Sequence, residues 1–374
     1  MGMRVCAESE CLSCHAKIIE DLKIVYALTF PCQVDLTKQT VFCSEVVNDW
    51  FGKPLLWALE NPEQSEVKIS REIFTHHQQV IILNCVDFLY GYSLLRLLNA
   101  QKHLECHSQY GLILIIQSSL KWIVPDGVAE VWTVDIPFKK GKCYYPSFNE
   151  FIQKELERFS KIYISKASPH PKYFNIENFT KIPKHDFSSE ELKITFIWRE
   201  DRIWFNLLLT RFFRKLKLSK LPLFFQKQRI ISLFKGLKIS LPSAKFAVAG
   251  LGTTTQFPEW IEDFRISAFD EESERKTCKI YSKSRLVIGV HGSSMLLPSA
   301  HAGMTIDLML NGKENRWSNF AQDILYQEQD ARLAAFRYQY VSFEVSTNEL
   351  NRIASNMILK YSEFKQTMTQ QVHE

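Results

Sequence analysis

No run of apolar residues in this 374-residue sequence reaches the roughly 18 to 20 that a membrane-spanning helix requires. The opening residues, MGMRVCAESE, lack the apolar stretch of a secretory leader, so the cytosol is the expected compartment. The Met1-Gly2 start does not complete a myristoylation signal, because Cys6 stands where a Ser or Thr is required. Nine cysteines, an odd number without a leader, read as reduced buried thiols rather than a disulfide framework. There is no internal repeat and no low-complexity tract. One stretch lacks charge of a single sign. Residues 211–238 carry nine Lys or Arg and no acid, so the formal net charge of +5 is local and the rest of the chain sums to about −4.

What is present is a soluble globular balance, 46% hydrophobic and 23% charged residues, in a length that favours two domains. Residues 1–75 hold short apolar pieces broken by Pro, Asn and charge, which suggest a few strands or hairpins with short helices. From Val80 the pattern sharpens: VIILNCVD ends at Asp87, SLLRLLNAQKHLE has helical spacing, and YGLILIIQ and VAEVWTVD follow as buried strands. Continuous rather than alternating apolar runs, with a helix between them, mark a parallel α/β sheet. Pro146, with Ser147 and Glu150 as a capping box, predicts a helix start, and KIYIS a fourth strand. Residues 167–190, with three prolines and no periodicity, are the expected linker. The rhythm then restarts: KITFIW runs to Arg199, KFAVAG to a Gly-Leu-Gly-Thr turn, EESERKTCKIYSKS reads as a helix, and RLVIGV, SSMLLPSAHAG and MTIDLML as strand, helix and strand. Two successive Rossmann-like halves are therefore expected, over 1–190 and 191–345. An amphipathic terminal helix over 346–374 is opened by a Ser346/Glu349 capping box.

Several motifs compete for chemistry. CLSCH at 11–15 matches the haem c attachment spacing, but it lacks an export signal and a second ligand pair for zinc, and it reads as coincidence. His76-His77 diverge on a helix and have no carboxylate at ligand spacing. No D-x-D pair stands in a loop position; DFRISAFDEE is acidic but reads as the start of a helix. A bound diphosphate would then be neutralised by protein groups, with no metal. The basic segment 211–238 interleaves cations with Phe, Leu and Ile, with Ile230, Ile231, Phe234 and Leu237 on one helical face. It reads either as the solvated face of an ordinary helix or as a peripheral contact with an anionic membrane, at the inner face. No nucleic-acid motif accompanies the charge, so no nucleic-acid partner is expected.

The most informative stretch is VIGVHGSSM. A strand that breaks at His291 and turns at once into a helix aims the amides of Gly292, Ser293 and Ser294 beyond the sheet edge, where an anion binds. Arg199, with Arg202, ends another strand of the same half, and Gly252 and Thr253 lie in the Gly-rich turn after a third. Carboxyl ends of parallel strands share one edge, so these groups are expected in one crevice. The competing reading makes His291 a core residue and Gly-Ser-Ser a helix cap.

SRLVIGVHGSSMLLPSAHAGMTIDLM, with ITFIWRED upstream, resembles the C-terminal signature of the family 61 glycosyltransferases, over roughly 193–310. His291 and Gly292 match that family's His-Gly, Arg199 its strand-end Arg, and Asp307 its terminal acid. Ser293 and Ser294 replace a small Ala-Gly pair, and Asp307 is shorter than the usual Glu. The resemblance implies a GT-B-like α/β fold, two Rossmann-like domains with mostly parallel sheets facing a cleft. It also implies a nucleotide sugar on the C-terminal domain, no essential metal and inversion at the anomeric carbon. The expectation is a metal-independent inverting glycosyltransferase that needs no cofactor beyond a nucleoside-diphosphate sugar, UDP by resemblance. The donor is expected against Arg199, Arg202, Gly252, Thr253, His291 to Ser294 and Asp307. The acceptor, a glycan, lipid-linked or protein hydroxyl, is expected on the N-terminal domain with Asp87 as base, and His291 as a leaving-group stabiliser. A sugar-nucleotide epimerase on the same scaffold and an inactive membrane-associated scaffold are the alternatives.

Overall fold

The structure, a computed structural model, describes residues 4–166, 174–218, 220–268, 270–310 and 330–369. Part of the expected linker, 167–173, and the last residues of the expected terminal helix, 370–374, lie outside the described residues. The chain divides into two compact units, Met1–Phe179 and Thr180–Glu374.

The first unit opens with an antiparallel meander of β1 (Cys6–Glu10), β2 (Lys17–Asp21), β3 (Cys32–Asp35) and β4 (Thr40–Phe42). CLSCH is the turn between β1 and β2. The Cys11 amide donates to the Ala16 carbonyl at 2.9 Å and the His15 amide to the Cys11 carbonyl at 2.8 Å, while His15 takes a positive φ of 55°. All nine cysteines are free, but only Cys32, Cys85 and Cys278 are buried, fewer than the expectation of buried thiols. A second sheet follows: β5 (Ile69–Ile73), β6 (Gln79–Asn84), β7 (Gly111–Gln117), β8 (Glu130–Val134) and β9 (Lys161–Ile164), in the order β5-β8-β7-β6-β9. β6 to β9 run parallel, and β5 joins antiparallel at the edge. β7 is buried along its whole length, as a strand covered on both faces must be. The helix Pro146–Leu156 begins at its proline without the predicted capping box. Ser147 Oγ instead accepts the Val67 amide at 3.4 Å, so a tertiary partner has taken the local cap.

The second unit is one six-stranded parallel sheet, built of β10 (Lys193–Arg199), β11 (Lys245–Leu251), β12 (Ile261–Ile266), β13 (Ser284–Val290), β14 (Met304–Met309) and β15 (Tyr338–Ser342). Its order is β12-β11-β10-β13-β14-β15. Counted along the chain this is 3-2-1-4-5-6, the doubly wound dinucleotide-binding order, whose direction reverses between β10 and β13. DFRISAFDEE starts a helix only at its end: its first residues belong to the edge strand β12, Ile261–Ile266, while Asp270, which accepts the Ser273 amide at 2.9 Å, caps the helix Glu271–Lys283. The basic segment falls within the crossover from β10 to β11, carried by the helices Leu207–Lys215 and Lys220–Ser240. Ile230, Leu233, Phe234 and Leu237 of the second helix enter the core of the sheet together with Leu350, Ala354 and Met357 of the terminal helix Thr347–Thr369. The Ser346/Glu349 box does form, with the Glu349 amide donating to Ser346 Oγ at 3.2 Å and the Ser346 amide to Glu349 Oε2 at 3.3 Å. Among the described residues no helix is long and apolar enough to cross a membrane.

One glycine fixes the end of β11. Gly250 has φ +108°, and a Cβ there would lie 2.4 Å from the Trp198 carbonyl oxygen on β10. Gly250→Ala meets both a disfavoured dihedral and a backbone clash, and is expected to cost about 2–4 kcal/mol. Urea unfolding of the variant against wild type measures it.

Candidate functional site

The carboxyl ends of β10 and β13 adjoin where the strand order reverses, so the loops after them part and leave a crevice. Gly292 takes φ +148°, and a Cβ there would lie 2.6 Å from Nη1 of both Arg199 and Arg202. The missing side chain is what lets two guanidinium groups reach this loop. Arg199 Nη1 donates to Ser294 Oγ at 3.0 Å, and Arg202 Nη1 donates to the His291 carbonyl at 2.6 Å. Arg199, Arg202, His291, Gly292 and Ser294, separated by about ninety positions in the chain, are thus gathered at one sheet edge.

His291 is buried, and its Nδ1 lies 2.8 Å from Asp307 Oδ2. Tyr338 donates its hydroxyl to the same oxygen at 3.2 Å. Asp307, expected among the groups that touch a ligand, is fully buried on β14, and the contact it makes toward the crevice is with the imidazole. Burial pushes the Asp307 carboxyl up, against the hydrogen bond and charge of His291 that lower it. An ionised Asp307 accepts a hydrogen bond from Nδ1–H, which leaves Nε2 as the ring's second nitrogen. Nε2 has no hydrogen-bond partner among the described residues.

The expected helix N-terminus is weaker than its sequence suggested. Ser293–Met295 is a single 3₁₀ turn, and the α-helix after it covers only Leu296–His301. So short a helix adds little dipole, and positive potential must come from the arginines. Those cations are partly answered from within. Asp201 accepts from Arg199 Nε at 2.9 Å and from Nη2 as well. Burial pushes the Asp201 carboxyl up, but the hydrogen bond and charge of Arg199 outweigh it, and the group titrates below the usual carboxylate range. Glu200 Oε1 accepts the Thr254 amide at 3.2 Å and its hydroxyl at 2.7 Å. Gly252, at φ +110°, gives this carboxylate room: a Cβ there would lie 2.3 Å from Glu200 Cδ. The Gly252–Thr253 turn therefore closes over a carboxylate of its own chain, and Thr253 is exposed beside it. Glu200, Asp201 and Tyr338 had no signal in the sequence beyond adjacency to Arg199 for the first two. Among the described residues no three His, Cys, Asp or Glu side chains are grouped to hold a metal ion.

Asp87 belongs to the first unit, where it follows β6. It is buried, its Oδ1 accepts the Leu89 amide at 2.8 Å, and its own amide donates to Gln117 Oε1 at 3.3 Å. It lines a cavity of about 300 Å³ together with Asp21, Tyr26, Trp50, Phe51 and Tyr92. Tyr26 meets Trp50, Phe51 and Tyr92 edge-on at centroid distances of 5.7, 6.1 and 5.6 Å. Asp21 Oδ2 accepts from Arg4 at 3.0 Å, while Oδ1 is buried without a partner among the described residues. Aromatic walls over buried carboxylates suit a ligand with a flat apolar face and hydroxyl donors.

No family model matches this chain, and no curated protein matches it. Among solved structures it is similar to TarM, at 12% identity over 97% of this chain and 64% of TarM, with a TM-score of 0.27. It is also similar to the wall teichoic acid polymerase TagF, at 8% identity over 84% of this chain and 87% of TagF, with a TM-score of 0.30. The chain thus spans less than two thirds of TarM. Likenesses at these TM-scores carry no weight for fold or function, and the fold rests on the strand orders above.

Burial, opposed by the charge of Arg4, pushes the Asp21 carboxyl up to about 6 from an ordinary 3.8. The folded state then holds this proton more tightly than the unfolded chain. Stability from this group is present below about pH 4 and falls as pH rises to about 6, by about 3 kcal/mol in all. Asp21→Asn should remove that slope, which denaturant unfolding of both proteins at intervals between pH 4 and 7 measures as a difference.

Proposed function

We propose that this protein is a glycosyltransferase that takes a nucleoside-diphosphate sugar, holds its pyrophosphate at the β10/β13 edge without a metal, and inverts the anomeric carbon. The observation that carries the reading is the convergence of Arg199, Arg202, His291, Gly292 and Ser294 at the reversal point of a 3-2-1-4-5-6 sheet, the position where such sheets bind nucleotides. The resemblance of VIGVHGSS and ITFIWRED to family 61 glycosyltransferases supports it, and favours UDP.

In this reading the two guanidinium groups take charge from the phosphates, and Ser294 Oγ and the loop amides supply further donors. The acceptor hydroxyl attacks the anomeric carbon from the face opposite the diphosphate. Its proton passes to a carboxylate, for which Asp87 is the candidate. The C1–O bond to the β-phosphate breaks with its electron pair on the phosphate oxygen, where the developing charge meets Arg199, Arg202 and a hydrogen bond from His291. An imidazolium donates through both nitrogens, to Asp307 and to phosphate. The acceptor in this reading is a hydroxyl of a glycan, a lipid-linked glycan or a protein in the cytosol.

Titration calorimetry of the full chain with UDP, GDP, ADP and CMP, in the presence of a chelator, tests the donor site. One nucleotide should bind, and Arg199→Ala should weaken it by about 10- to 100-fold. Asp201→Asn, which frees the Arg199 fork, should tighten it by about 2- to 5-fold. Equal binding by wild type and Arg199→Ala removes the assignment.

Asp87→Asn separates catalysis from binding. Transfer of labelled sugar to an added glycan acceptor should fall by about 10²- to 10⁴-fold with donor affinity unchanged. Conversion of the donor sugar without any transfer would instead mark an epimerase.

A further inference from the structure

We propose that the helical hairpin between β10 and β11 is a docking surface for an anionic lipid bilayer. The inference is independent of the donor site and rests on an inverted helix. In Leu207–Lys215 the one buried residue is Thr210, while Leu208 is 74%, Leu209 45% and Phe212 54% exposed. A crossover helix ordinarily turns its apolar stripe to the sheet. This one turns it away.

Exposed apolar side chains continue through the turn after this helix and into the start of the second. Leu216, Leu218 and Phe224 are 52%, 47% and 47% exposed. The opposite face of the same helix is buried: Leu223 is 7% exposed, and Ile230, Leu233, Phe234 and Leu237 are wholly buried in the core. Phe225 stacks on Phe205 at 4.9 Å, and Gln226 Nε2 donates to the Arg199 carbonyl at 3.1 Å, so the exposed half is a projecting part of an anchored element. So many large apolar side chains exposed along one short hairpin mark an interaction surface.

Charge identifies the occupant. From Arg202 to Pro258 the chain runs 57 residues without a single carboxylate, and Arg211, Arg214, Lys215, Lys217 and Lys220 are all exposed around the apolar side chains. A second copy of the same chain, packed through a two-fold contact, would oppose this cation cluster to itself. A nucleic acid would engage the cations but leave Leu208, Leu209 and Leu216 in water. A bilayer with acidic headgroups satisfies both halves, apolar side chains entering the acyl boundary and cations remaining among the headgroups.

Flotation of the full chain with vesicles of phosphatidylcholine alone, or mixed with phosphatidylglycerol, tests the proposal. Binding is expected on the mixed vesicles, weakening as salt is raised. Two variants on exposed positions divide the contributions. Arg211→Gln/Lys215→Gln/Lys217→Gln should lower partition by about 100-fold, and Leu208→Ser/Phe212→Ser/Leu216→Ser should abolish residual binding at high salt, both with circular-dichroism melting unchanged. Equal binding to neutral and mixed vesicles, or binding unaltered in both variants, overturns it. So does a dimer in sedimentation that the apolar variant dissolves, or a duplex RNA that displaces the protein from vesicles without loss of affinity in the apolar variant.

Discussion

A Cβ on Gly292 would stand 2.6 Å from each of two guanidinium nitrogens, and the arrangement of the second unit's sheet edge depends on its absence. Strand order brings β10 and β13 side by side; only glycine then lets the arginines that follow β10 close on the loop that follows β13. The positive φ of Gly292 serves the same end, turning the chain away from β13 so that the His291 carbonyl is available to Arg202. Like charges brought this near need nearby acceptors: the loop after β13 supplies a carbonyl and a hydroxyl, and the segment after β10 the Asp201 carboxylate.

The central strands were legible because burial on both faces writes a continuous apolar run. VIILN, GLILIIQ, KITFIW and RLVIGV all became strands, and their ends placed Arg199 and His291 on one edge. The edge strands β5, β12 and β15 were not legible. Each is partly exposed, so its residues are mixed, and IEDFRI in particular carries three charges that suit a helix as well as an edge. The capping boxes show the same limit at a smaller scale. Ser346 has only its own helix to serve, whereas Ser147 is engaged by Val67, eighty positions away. No local pattern encodes that choice.

At the candidate site, backbone position was legible and side-chain pairing was not. A strand-end Arg and a His-Gly break are written in order along the chain. That Asp307 would lie behind His291, and that Asp201 would sit in the Arg199 fork, depends on rotamers and on contacts between strands. The basic segment is a related case. Its composition is uniform, yet its second helix sends Leu223, Ile230, Leu233, Phe234 and Leu237 into the core while Phe224 beside them stays exposed, and the burial of Thr210 rather than its leucine neighbours settles which side of the first helix faces the protein.

The internal carboxylates give this edge a threshold. With Asp201 seated in the Arg199 fork and Glu200 beneath the Thr254 amide, an incoming anion gains only the difference between its own interaction and the one it replaces. Chloride, or a single carboxylate, offers nothing better than what is already there. A polyanion that spans several donors at once can outcompete a tethered aspartate, so the internal pairs at this edge favour anions of high charge density over single charges.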